Sequence, residues 1–83
     1  MTRKYETTTD ILKEALQLQE EAKQVRDERA HAKWWDKKVD LLHVINDLFE
    51  TGAFTGEAYE ELWSAKHTLY RAEAYAGKYA MEL

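Results

Sequence analysis

The chain has 83 residues, with 16 acidic and 12 basic side chains, a net charge of −4, and neither proline nor cysteine. That length allows one small domain, near the lower end of what a core can hold together alone. A disulfide scaffold and a thiolate metal site are both excluded. The charge is spread out, residues 1–33 being neutral and 34–51 and 52–83 carrying −2 each. This argues against the one-sided basic surface of a nucleic-acid binder. No apolar run approaches the roughly 20 residues needed to cross a bilayer. The segment Met1-Thr-Arg-Lys-Tyr-Glu6 also lacks the apolar stretch of a signal peptide, so the expected location is the cytoplasm.

In chain order, residues 1–8 read as a flexible N-terminal arm and 9–83 as a single helical domain. Thr7, Thr8 and Thr9 can each cap a helix. Thr9 is the choice, because it puts Asp10 at the first helical position, where negative charge suits the dipole. Ile11, Ala15, Leu18, Ala22 and Val25 then recur at spacings of four and three, a series that Arg29 and Ala32 extend. No glycine or proline interrupts Asp10 to Glu50. Composition therefore favours one rod over about 10–49. The alternative is a break near His31, since helices in globular proteins average about 10–14 residues. Trp34, Leu41, Ile45 and Leu48 form the apolar line of the second half, widened by Trp35, Val39, Leu42 and Phe49.

Turn chemistry appears at residues 50–55. Gly52 can take the left-handed conformation that ends a helix, Thr55 can cap the next one, and Phe54 is placed to staple onto Tyr59. A final helix is predicted over 56–80, with Gly77 inside it at a cost of about 1 kcal/mol relative to alanine. Its apolar positions are Ala58, Leu62, Ala65, Leu69, Ala72, Ala76, Tyr79 and Leu83, the period of a helix committed to a neighbour along its length. The fold class is all-α: a long antiparallel helical hairpin or a three-helix bundle, with coiled-coil-like packing.

A second stripe, Tyr59, Trp63 and Tyr70, lies about 120° around the final helix, with Lys66 and Glu73 between the two. A helix with one neighbour does not need so much apolar surface: either the stripe packs against the first helix in a closed three-helix monomer, or it serves an interface, which Tyr and Trp anchor well. Trp34 and Trp35 point about 100° apart on a helix, so either one sits in the core and the other at a boundary, or both bracket a broad hydrophobic seam. Together Trp34, Trp35, Tyr59, Trp63, Lys66, Tyr70 and Glu73 are the expected interface. The function they suggest is that of a non-catalytic adaptor, inhibitor or assembly factor of bacterial or phage type. It would act as a homodimer or on an unidentified protein partner, without a cofactor. Glu57, Glu60 and Glu61 read as first-turn charges, or as an acidic rim beside the stripe.

Other chemistry is thinly supported. Glu28-x-x-His31 and Asp40-x-x-His43 have the spacing found in carboxylate-bridged metal sites of helical bundles, which a dimer of hairpins could build, but of the further carboxylates only Glu73, between the two stripes, sits away from polar or surface positions. Ser64 and His67 share a polar face without an oxyanion arrangement. Lys33, Lys37 and Lys38 surround the tryptophans, but Asp36 and Asp40 interrupt them, and three or four phosphate contacts give only weak, salt-sensitive binding.

Overall fold

The computed structural model describes residues 7–81. Four helices follow one another: α1 (Thr8–Ala22), α2 (Glu28–Thr51), α3 (Gly56–Ala76) and the single turn α4 (Lys78–Met81). The chain forms the three-helix bundle and not the two-helix hairpin. Of the expected arm, residues 1–6 lie outside the described residues. Thr7 is the N-cap of α1, its hydroxyl accepting from the Asp10 amide at 3.2 Å. The cap thus falls two residues before the expected Thr9.

The rod over 10–49 does not form, and the break is not at His31. Helix α1 ends at Ala22, and Asp27 starts α2 with its carboxylate accepting from the Ala30 amide at 2.8 Å. The Arg26 guanidinium donates to the carbonyls of Lys23 and Val25 between them. Val25 is buried in the connection. A rod would have left the stripes of α1 and α2 without each other; folding back covers both, and tertiary burial outweighs local propensity.

The polar cross-links give the helix directions. Thr8 and Thr9, at the start of α1, donate to the Glu61 carboxylate near the start of α3. At the far end the Lys23 ammonium stands 5.2 Å from the Tyr75 ring centroid. Helices α1 and α3 therefore run parallel. Helix α2 is antiparallel to both: Trp34 reaches Leu18 on α1, while Lys38 and Asn46 meet Glu73 and Lys66 on α3.

The α1–α3 seam is lined by Ile11, Ala15, Leu18, Ala22, Leu62, Ala65, Leu69, Ala72 and Ala76, all buried. Alanine at five of these places lets the two backbones come close, and leucine and isoleucine fill the spaces. Helix α2 closes the core with Trp34, Leu41 and Ile45.

At the second turn Gly52 ends α2 at φ 67° and Gly56 opens α3 at φ 63°. Both angles are left-handed, which glycine alone adopts at little cost. Thr55 occupies the N-cap of α3 in extended conformation but makes no side-chain cap bond. Phe54 packs against the core. The Tyr59 ring instead meets Phe49 and Trp63. Gly77 divides the predicted final helix, its amide donating to the Glu73 and Tyr75 carbonyls before α4 begins.

Candidate functional site

Among the described residues, the edge where α2 meets α3 carries most of the large exposed hydrophobic side chains. On α2 it follows a seven-residue spacing, Trp35, Leu42 and Phe49. On α3 it takes Tyr59, Trp63, Lys66, Tyr70 and Glu73. Among the described residues five large hydrophobic side chains are exposed, and four of them are here: Trp35 at 38 %, Tyr59 at 43 %, Trp63 at 38 % and Tyr70 at 49 %. The fifth, Leu16, is on α1.

At the turn end these rings form one cluster. Phe49 lies 5.5 Å from Tyr59 and 5.3 Å from Trp63, centroid to centroid, and Tyr59 meets Trp63 edge-on. His67 extends the row, 5.4 Å beyond Trp63. The Lys66 ammonium donates to Asn46 Oδ1 at 3.1 Å and stands within 5.6 Å of the Phe49 and Trp63 centroids. A cation pinned beside two π faces holds the rings in place and leaves them open.

The other end holds a second cluster, around a residue that sequence reasoning assigned elsewhere. Lys38 is 3 % exposed, in the core series Trp34, Lys38, Leu41, Ile45. Its ammonium donates to the Glu73 carboxylate and sits 3.3 Å from the centroid of the Trp35 ring. The phosphate-contact role considered for Lys38 is thereby removed. The signal was present: Lys38 fills the four-three position between Trp34 and Leu41 where an apolar residue belongs. His31 joins this end, its ring 5.7 Å from Trp35 and 5.6 Å from Tyr79.

Of the seven expected interface residues, the structure aligns six on the α2–α3 edge and removes one. Trp34 is 3 % exposed, and its indole N–H donates to the Leu18 carbonyl at 2.7 Å. It is the core member of the tryptophan pair, with Trp35 at the boundary. Glu73 and Lys66 tie α3 to α2, so neither is a free charge on the face. Glu61 also leaves the expected acidic rim, being bound to Thr8 and Thr9, whereas Glu57 and Glu60 stay exposed.

The remaining candidates are not drawn together. Glu28, Asp40 and His43 are exposed and His31 is half-buried among rings. Among the described residues no three His, Asp or Glu side chains gather as metal ligands. Lys33 is exposed, and Lys37 is paired with Glu21 at 3.1 Å. Ser64 and His67 share no hydrogen bond among the described residues. The Ser64 carbonyl accepts from the Thr68 hydroxyl, and His67 lies against Trp63.

A cavity of about 330 Å³ near the α1 and α3 ends is lined by Lys23, Arg26, Tyr75, Lys78 and Tyr79. Its cations are partly spoken for. Lys23 is bonded to Glu20, which raises its pKa above the ordinary value, and Arg26 is engaged by the two carbonyls.

No known protein family, curated protein or solved structure matches this chain. Among the described residues no helix is long and apolar enough to cross a membrane.

Proposed function

We propose that this chain is a small non-catalytic interaction module, an adaptor, inhibitor or assembly factor. It works by docking a protein surface, a second copy of itself included, onto the aromatic edge of α2 and α3. The observation carrying this reading is that, among the described residues, four of the five exposed large hydrophobic side chains share that one edge. Single exposed apolar residues are ordinary on a protein surface, whereas a contiguous patch marks a site of association. The chemistry suits recognition: tyrosine and tryptophan give large contact area with few rotatable bonds, and Lys66 gives the patch a fixed charge. Docking of this kind is steric and aromatic and needs no cofactor.

The test is Trp63→Asp, which puts a carboxylate into the centre of the patch. Trp63 belongs to no buried layer, so far-UV circular dichroism is expected to keep its helical signal. Association is expected to be lost, measured as mass in solution and as partners retained on the immobilised chain. A variant that unfolds would place Trp63 in the core. A folded variant that keeps the wild-type mass and the wild-type partners would remove the aromatic edge as the site.

A further inference from the structure

We infer that the outer ridge of α3 is a homodimer interface in which two copies pack antiparallel about a two-fold axis that passes between the paired α3 helices at the level of Lys66 and His67. The inference rests on the reading of the aromatic edge as an interaction surface, and it names the occupant. Its basis is the placement of charge beside the rings. Glu57 and Glu60 are exposed in the first turns of α3, and Arg71 is exposed toward its end. Among the described residues none of the three has an ion-pair or hydrogen-bond partner. A parallel copy would set like charges side by side. An antiparallel copy sets the acidic end against the basic end and opposes the two helix dipoles.

The register follows from helix geometry. At 100° per residue Trp63, Tyr70, Ala74, Tyr59 and His67 fall within about 40° of one line along α3. Glu60 and Arg71 lie together on the flank turned away from α2, about 60–80° from that line. A two-fold axis perpendicular to the plane of the paired helices keeps each flank on its own side. Glu60 and the partner's Arg71 therefore share an edge. An axis between Lys66 and His67 places Trp63 against the partner's Tyr70, and Tyr59 against the small side chain of the partner's Ala74. Glu60 then comes within about two residues, or about 3 Å along the axis, of the partner's Arg71. Symmetry makes the pair twice.

The size of the ridge sets the strength. Helix α3 has 21 residues, about 30 Å of length, and a ridge about 10 Å wide offers on the order of 300 Å² per copy. Standard stable interfaces use about 800 Å² per partner. An interface well below standard size is expected to be weak and reversible.

Sedimentation equilibrium on the full chain from about 5 to 500 µM is the experiment. The mass is expected to rise from the 9.8 kDa of one chain toward twice that value. Glu60→Arg and Arg71→Glu are each expected to weaken the dimer about five- to tenfold, because each puts two repelling pairs into the interface. Combined in one chain they restore the pairs with signs exchanged, and the dimer is expected to return. A 9.8 kDa species at every concentration would overturn the second copy as occupant. It would leave the aromatic edge to the Trp63→Asp capture test, which reads other partners separately. A dimer that Trp63→Asp leaves intact would place the contact on another face. Single variants that weaken it without recovery in the double variant would overturn the antiparallel register.

Discussion

Lys38 donates from a core position of α2 to the Glu73 carboxylate of α3, and that bond leaves the bundle with a polar tie inside its apolar seam. Lys38 is almost fully enclosed, whereas Glu73 keeps about a third of its side-chain surface in water, at 32 %. The two residues are therefore not equivalent. Removing the carboxylate strands an ammonium in the core, with only the Trp35 ring as a neighbour of opposite character. Removing the lysine leaves a carboxylate that water can reach.

The expected outcome is asymmetric. Glu73→Gln is expected to cost about 1–3 kcal/mol, below the 3–5 kcal/mol of a fully buried broken pair because the site opens to solvent at Glu73. Lys38→Met fills the same space without a charge and is expected to lie within about 1 kcal/mol of the wild type, or to stabilise it. Urea denaturation of the two variants decides the matter. A Lys38→Met cost above that of Glu73→Gln would mean that the ammonium is better solvated than its burial indicates.

The adjacent tryptophans separate by the same kind of experiment. Trp34 fills the core and holds the Leu18 carbonyl; Trp35 covers Lys38 from the boundary. Trp34→Ala is expected to cost about 3–5 kcal/mol. Trp34→Phe keeps most of the volume but loses the hydrogen bond, at about 1–2 kcal/mol. Trp35→Ala is expected to cost less than Trp34→Ala, since much of its surface is already in water. Equal losses for the two alanine variants would contradict the division of roles.

How far these features could be read from the residues depends on how each competes with its neighbours. The α2–α3 turn was legible because Gly52 and Gly56 stand in a short segment with little helix propensity, and the structure needs positive φ at both. The α1–α2 break was not. Asp27 is one charge among many in Glu20–Lys33, and the strength of its cap shows only when α2 folds back on α1. Lys38 was hidden for a similar reason: a lysine beside another lysine reads as solvent-facing, and only the four-three spacing from Trp34 marks it as inward. The stripe Tyr59, Trp63 and Tyr70 was legible as more apolar surface than one neighbour needs, but that it stays open with both α1 and α2 in place was not. That Glu73 and Lys66 reach across to α2 instead of outward depends on where α2 lies, which the periodicity of α3 alone does not contain.

The break itself makes a prediction. Asp27→Ala removes the carboxylate that accepts from the Ala30 amide and is expected to cost about 0.5–2 kcal/mol. Asp27→Ser or Asp27→Asn keeps an acceptor at the cap and is expected to recover most of the loss. Thermal unfolding followed at 222 nm distinguishes the three. If alanine proved harmless, continuity of α1 and α2 would be nearly as stable as the break, and the rod would be a populated alternative.

The close approach of α1 and α3 yields the last prediction. Ala15, Ala22, Ala65, Ala72 and Ala76 have no exposed surface at all. A leucine at Ala72 must push the helices apart or adopt a strained rotamer, since the seam has no space for three further carbons. Ala72→Leu is expected to destabilise the fold by about 1–3 kcal/mol although leucine is the more hydrophobic residue and a good helix former. Ala32→Leu supplies the control: Ala32 is exposed on α2, and the same change there is expected to stay within about 0.5 kcal/mol of the wild type. The comparison isolates packing from propensity, because both positions are helical. A stabilising Ala72→Leu would show slack in the α1–α3 seam, and the parallel pair would then owe its spacing to something other than its alanines.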